Sequence, residues 1–280
     1  MRTLAIIGQD RCGSTILARM LDRVPGLASA GEVHWLVDAP PHRPLATRIR
    51  GWHISRRCMR HGASCPVFDE PFITQRFPEG DLYAIVAKRL GCDTLVSADK
   101  SPQHFERFTE RGQPFGVILY KRPQRAIYSH MVGEAKTFEE ALEAWHRFYA
   151  LAIRWAPQWC KEYVALSYED IVRSPGWSVY AITRMLGAPR TEIPLALPDE
   201  YHFIGGNRNA HLWGRISEDR RWEKNLAAHL QAQADKDPRT KRILRHLEPL
   251  RRESLHGWRR AQEEADATGR DDRDPDHATD

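Results

Sequence analysis

Nowhere in the 280 residues does an apolar run approach the roughly 18 that a membrane-crossing helix needs. Cysteine is scarce: the five present cannot all pair, and their density is far below that of a disulfide scaffold. A reducing cytoplasm is the expected setting. The opening Met1-Arg-Thr-Leu-Ala-Ile-Ile-Gly8 shows no cleavable hydrophobic core of the exported kind, and there is no internal repeat. At 41% hydrophobic and 28% charged residues, the chain is neither disordered throughout nor fibrous. Its length suits one α/β domain of about 200–260 residues with appendages.

The net charge of +5 hides an asymmetry, because residues 261–280 hold eight acidic residues and two basic ones. With almost nothing apolar to bury, this tail is expected to be disordered, and residues 1–260 form the domain. That domain is strongly basic, which favours an anionic partner such as a phosphorylated cofactor, a sulfated product or nucleic acid. A nucleic-acid-binding module is the weaker reading. The basic residues are dispersed rather than interleaved with aromatics, and no recognised binding motif appears.

The patterning alternates. Leu4–Ile7 reads as a buried strand stopped by Gly8, and Ser14–Arg23 as a helix with Ile16, Leu17, Met20 and Leu21 on one face. Periodicity fails across residues 40–78, which read as an inserted lid-like loop. Asp81–Leu90 and Pro102–Arg111 read as helices, Thr94–Ser97 and Phe115–Tyr120 as strands, and Pro123–Met131 as a helix. Thr137-Phe-Glu-Glu140 has the form of a capping box. It opens a long helix with Phe138, Leu142, Trp145, Tyr149 and Ala152 on one face. Tyr163–Leu166 is a strand, and Ser174–Leu186 a helix closed by Gly187. Strands separated by helices predict a three-layer α/β fold, with a central parallel sheet flanked by helices.

The sharpest local feature is Gly8-Gln-Asp-Arg-Cys-Gly-Ser-Thr15, between the first strand and the first helix. Backbone N–H groups and the helix dipole suit that position to an anion. Gly8 and Gly13 fall in the register of the nucleotide-binding P-loop, but Ser14 stands where that loop has its lysine. A small-metabolite kinase, the alternative enzyme class, would lack its β/γ-phosphate clamp. The strong cation inside the loop is Arg11.

Arg11-Cys-Gly-Ser-Thr-Ile-Leu17, followed by Met20-Leu-Asp22, Pro25-Gly26 and Ser29-Ala-Gly-Glu32, resembles the opening of the PAPS-dependent sulfotransferases. It is most similar to their bacterial and tyrosylprotein-type branch. The resemblance implies a P-loop-like fold whose loop (Arg11, Cys12, Gly13, Ser14, Thr15, Ile16) binds the 5′-phosphosulfate of 3′-phosphoadenosine 5′-phosphosulfate, PAPS. Arg11 would contact the bridging oxygen as sulfuryl leaves. Val117-Ile-Leu-Tyr-Lys-Arg-Pro-Gln-Arg-Ala-Ile-Tyr-Ser129 resembles the family's 3′-phosphate motif, with Lys121 rather than Arg122 at the arginine position. Which cation serves stays open; Ser129 has the expected offset.

Ala98-Asp-Lys-Ser-Pro-Gln-His-Phe105 resembles a segment of the carbohydrate sulfotransferases, and Ser167-Tyr-Glu-Asp-Ile171 the family's R-Y-E-D-L stretch. His202-Phe-Ile-Gly-Gly-Asn-Arg208 resembles a late segment that lies near the 3′-phosphate and adenine, which implicates Gly206, Asn207 and Arg208. The resemblance thus implies metal-independent sulfuryl transfer from PAPS to a hydroxyl of a small molecule or glycoside, leaving PAP. A general base must take the acceptor proton. Glu32 is the favoured candidate and Asp99 its rival, with Lys100 a possible donor anchor and His34 a possible assistant.

His53, Cys58, His61 and Cys65 give H-x4-C-x2-H-x3-C, looser than the paired knuckle usual for zinc. These thiols are expected to be packed or exposed rather than metal-bound or paired. Trp145, Trp155 and Trp159 are expected in the core. Trp35 and Trp52, beside the base and the lid, are candidates for an acceptor pocket or for core packing.

Overall fold

Alternation along the strands sets the layering. In β1 (Arg2–Ile7), Leu4 and Ile6 face one side of the sheet, Ala5 and Ile7 the other, and all four are fully buried. Only a strand covered on both faces carries such a run. The structure is a computed structural model. It describes residues 1–38, 47–49, 52–54, 56–108, 112–189, 191, 200–206 and 216–267.

After β1 come α1 (Ser14–Leu21), β2 (Leu27–Gly31), α2 (Trp35–Asp38), β3 (Thr47–Ile49) and β4 (Trp52–Ile54). The chain continues through α3 (Glu70–Thr74), α4 (Leu82–Leu90), β5 (Thr94–Lys100), α5 (Pro102–Phe108) and β6 (Phe115–Tyr120). Next are α6 (Pro123–Glu134), α7 (Phe138–Trp159), β7 (Tyr163–Ser167), α8 (Tyr168–Arg173) and α9 (Pro175–Leu186). The last elements are α10 (Arg221–Asn225), α11 (Ala228–Lys236) and α12 (Pro238–Ala267). Five strands form one all-parallel sheet in the order β2-β5-β1-β6-β7, and β3 pairs antiparallel with β4.

One face of the sheet packs on Leu17, Met20 and Leu21 of α1, Ile171 of α8, and Val179 and Ile182 of α9. The other packs on Leu82 and Val86 of α4, Phe105 of α5, Trp145 and Tyr149 of α7, and Leu247 of α12. This is the expected three-layer α/β fold. The capping box forms: Thr137 Oγ1 accepts from the Glu140 N–H and Glu140 Oε2 from the Thr137 N–H, at 3.2 and 2.8 Å. All five residues expected on the buried face of α7 are buried there.

Several boundaries differ from expectation. β2 is built from Leu-Ala-Ser-Ala-Gly, too small in its side chains to register as a strand pattern. β5 runs on to Lys100, so its end carries Asp99 and Lys100. The segment read as a lid-like loop contains the short β3–β4 hairpin. Trp159, expected in the core, is 45% exposed because it lies in the last turn of α7 and stacks on the outer face of Trp155. α12 continues through Ala267, into the stretch expected to be disordered; residues 268–280 lie outside the described residues. Among the described residues, no helix is long and apolar enough to cross a membrane.

Candidate active site

Chain order places the site. From β1 the chain crosses by α1 to one side of the sheet, and from its neighbour β6 it crosses to the other. In open parallel sheets such a switch opens a crevice outside the carboxyl ends of the strands. The Gly8–Gly13 loop leaves β1 there, Lys121 follows β6, Lys100 ends β5, and Gly31 and Glu32 leave β2.

The loop is shaped by its own residues. Gly13 sits at φ +104° as the N-cap of α1, closely backed by the Tyr168 ring, so a side chain there is excluded by both backbone and neighbour. The first turn of α1 has no side-chain cap and no acidic residue, and the Ile16 N–H turns back to the Gly13 carbonyl at 3.0 Å; the positive dipole end of the helix is left toward the crevice. Ser14, Thr15 and Ile16 form that turn and are buried. Cys12 is buried too, and Gly8 lies directly beneath it, since a Cβ on Gly8 would come 2.6 Å from Cys12 Sγ. Burial pushes the Cys12 thiol up. Arg11 is exposed, at φ +64°, with its guanidinium against Gly133 of α6.

Lys100 joins the loop to the candidate base. Its ammonium lies 2.8 Å from Asp10 Oδ1 and 2.5 Å from Glu32 Oε1. Burial works against the charge, but Asp10 and Glu32 overcome it and hold Lys100 above the ordinary lysine range. The other oxygen of Glu32 accepts from Trp35 Nε1 at 3.2 Å. Trp35 is thus a partner of the base candidate; the Trp52 side chain lies outside the description. Gly31 explains the turn into Glu32. It has φ +74°, and a Cβ there would lie 2.6 Å from the Ile204 carbonyl oxygen. The Glu32 N–H donates to that same oxygen at 2.6 Å.

Asp99 is 3% exposed, and both its oxygens are engaged inside the fold. Oδ1 accepts from the His34 backbone N–H at 3.0 Å and meets His34 Nδ1 at 2.9 Å. Oδ2 accepts from the Tyr83 hydroxyl at 2.7 Å and the Ser97 hydroxyl at 3.0 Å. Burial alone would raise the Asp99 carboxyl, but its bonds to His34 and Tyr83 bring it below the usual carboxylate range. For His34, burial opposes protonation, and Asp99 and Glu32 outweigh it, so the imidazole is raised. The ring stacks on His104 at 4.1 Å. His34 carries little signal along the sequence, since its Asp99 partner is 65 residues away.

Lys121 is buried, its ammonium 4.2 Å from the centroid of the Tyr168 ring. Arg122 is exposed at the N-cap of α6, and Ser129 lies half-buried within that helix. Tyr168, from the Ser167-Tyr-Glu-Asp170 stretch, therefore backs both Gly13 and Lys121. Asp170 instead caps α8 and takes a bidentate pair from Arg251 at 2.6 Å. Gly206 borders the loop, where a Cβ would stand 3.5 Å from Thr15 Oγ1. Asn207 and Arg208 lie outside the described residues.

The crevice brings together groups that suit an anion: a helix terminus without a side-chain cap, the loop arginine Arg11 and the buried Lys121. Among the described residues, Gln9 Oε1, His130 Nε2, Arg125 Nη1, Trp222 Nε1 and both Glu169 carboxylate oxygens are buried without a hydrogen-bond partner, polar atoms that water or a ligand would satisfy. No curated protein matches the chain significantly. A family model described as "Sulfotransferase family" matches residues 4–192, more than half the chain, spanning β1 to beyond α9 and taking in the loop, Glu32, Asp99, Lys100, Lys121 and Ser129. With that match laid over this crevice, the chain belongs to the sulfotransferase family.

Proposed function

We propose that the protein moves a sulfuryl group from PAPS to a hydroxyl of a small molecule or glycoside in the cytoplasm. The transfer is in-line and metal-independent, and leaves PAP. The observation that carries this reading is the loop itself. A left-handed turn at Gly13 opens an uncapped helix N-terminus, and the loop cation is Arg11 instead of a P-loop lysine.

The donor supplies an activated sulfuryl group; the chain supplies position and charge. The Gly8–Ile16 loop holds the 5′-phosphosulfate, and Lys121 with Ser129 holds the 3′-phosphate, with Arg122 and Gly206 at its edge. As the sulfur–oxygen bond to the phosphate breaks, negative charge grows on the departing oxygen, and Arg11 faces it. The acceptor oxygen attacks sulfur as its proton passes to Glu32, which Lys100 and Trp35 hold by separate oxygens. Asp99, whose two oxygens each take two partners and whose side chain has no exposed surface, serves as a positioning residue for His34. That pair favours a second reading, in which the imidazole of His34 takes the proton.

Titration calorimetry without Mg²⁺ should show PAP binding far more tightly than its 3′-hydroxyl counterpart. Mg-ATP hydrolysis, or salt-sensitive DNA binding in its place, would sink the proposal. Labelled PAPS with a panel of hydroxyl compounds then identifies the acceptor. Glu32→Gln should lower kcat at least about a hundredfold while PAP affinity holds. A nitrophenol acceptor, already ionised, should be partly spared. If His34→Asn shows that pattern and Glu32→Gln does not, His34 is the base.

A further inference from the structure

Four side chains from two distant parts of the chain converge. Cys58, His61 and Cys65 come from the segment read as a lid, and His202 from the stretch just after residues 192–199. Their ligand atoms all lie within 4.8 Å of one another. Cys58 Sγ is 3.6 Å from His61 Nδ1, and Cys65 Sγ is 3.3 Å from His202 Nδ1. Tetrahedral zinc, with bonds of about 2.3 Å to sulfur and 2.0–2.1 Å to nitrogen, sets its sulfur and nitrogen ligands roughly 3.5 Å apart. Both cysteines are buried and neither is in a disulfide.

The surroundings match a metal site more closely than a packed cluster of thiols. Both histidines turn Nδ1 toward sulfur, and His61 Nε2 lies 3.1 Å from Glu200 Oε1, with His202 Nε2 farther from the same oxygen at 3.7 Å. For His61, a carboxylate accepting the Nε2 proton leaves the Nδ1 lone pair free to ligate, the usual outer shell of a metal-bound histidine. The Phe68 N–H donates to Cys65 Sγ at 3.2 Å, a bond suited to a thiolate. The backbone turns tightly around the first pair, with the Gly62 N–H on the Cys58 carbonyl at 2.9 Å.

We propose that Cys58, His61, Cys65 and His202 bind one structural zinc ion. Two thiols give up their protons to solvent and two neutral imidazoles add their lone pairs, so the closed Cys2His2 site is electrically neutral. All four positions are filled by the protein, which makes the metal a staple and not a catalyst. It joins the 56–68 segment to the 201–204 segment. Ile204 bridges Cys58 on one side and Gly31 on the other, and its carbonyl takes the Glu32 N–H. The spacing of His53, Cys58, His61 and Cys65 lacks the paired knuckle usual for zinc; the histidine that completes the cluster is His202, 137 residues from Cys65.

The test is metal content of the full chain, produced in zinc-replete cells and purified without chelator. Mass spectrometry should find about one zinc per chain that survives dialysis. After chelation, added cobalt should give thiolate-to-cobalt charge-transfer bands and the visible bands of a tetrahedral centre. Cys65→Ser and His202→Gln should fall below a tenth of the wild-type zinc, and Cys92→Ser should keep it all. A folded wild-type chain without zinc that raises no cobalt bands overturns the proposal, whatever the variants do. So does an intact mass showing a Cys58–Cys65 disulfide.

Discussion

Lys121 is a cation with little access to water. Burial pushes its ammonium down to about 8, with Arg125 adding to the effect and Glu169 opposing it. If its protonated form holds the 3′-phosphate, PAP affinity should fall about tenfold per pH unit above 8. Lys121→Arg keeps its charge there and should flatten the decline; calorimetry on both sides of pH 8 reads the slopes. Equal slopes would move the contact to Arg122. Asp22 is the mirror case, as burial pushes its carboxyl from 3.8 up to about 8 while it accepts the Ser29 N–H. Between those values the folded state keeps a proton that the unfolded chain releases. Stability from this group is therefore full below pH 4 and lost as pH rises toward 8, on the order of several kcal/mol. Asp22→Asn keeps the acceptor and cannot ionise, so its melting temperature should overtake the wild type's progressively across that window. Parallel melting curves would show that Asp22 does not titrate there.

At the scale of elements, α6 meets the Gly8–Gly13 loop through Gly133 and Arg11. The Arg11 guanidinium rests where Gly133 has no side chain, and a Cβ there would displace the end of that flexible group. Alanine is also the better helix former, by up to about 1 kcal/mol. Gly133→Ala should therefore leave the melting temperature equal or higher while turnover falls at least tenfold, toward the roughly hundredfold loss of a missing transition-state charge contact. Unchanged kcat would mean that the Arg11 pose is irrelevant to transfer. The elements themselves were largely legible, since α1, α4, α7 and α9 carry strong periodicity or caps. β2 was not, because a strand of small residues is specified by its parallel neighbour β5 rather than by its own pattern.

Taken whole, the molecule extends well past the residues that match the family. α12 lies across β7, α9 and α7. Ile243 and Leu247 are buried in the core. Tyr120 donates to Glu248 at 2.8 Å, Arg251 pairs with Asp170, and Ser254 Oγ takes the Ala165 N–H at 3.2 Å. A chain ending at Asp237 would bare this face of the core and strand the buried Asp170 carboxylate, a combination worth well over 3 kcal/mol. It should lose its cooperative melt, whereas a chain ending at Ala267 should melt as the full chain does. Circular dichroism on the two truncations decides, and a cooperative melt for the shorter one would make α12 dispensable.

The sequence alone determined the three-layer fold and the position of the Gly8–Gly13 loop between β1 and α1, because those features are local: a strand's two-faced run, a loop between strand and helix, a cap three residues from its partner. Tertiary structure decided how the polar residues are shared out. Along the chain Glu32 is favoured and Asp99 is its rival; in the fold the Asp99 side chain is fully enclosed by His34, Tyr83 and Ser97, while Glu32 keeps part of its side chain exposed beside Lys100. Cys58 and His202 are strangers in sequence and neighbours in space. A carboxylate or a thiol has no role until its partners are known, and partners tens of residues away are set only when the sheet order brings their loops to one edge.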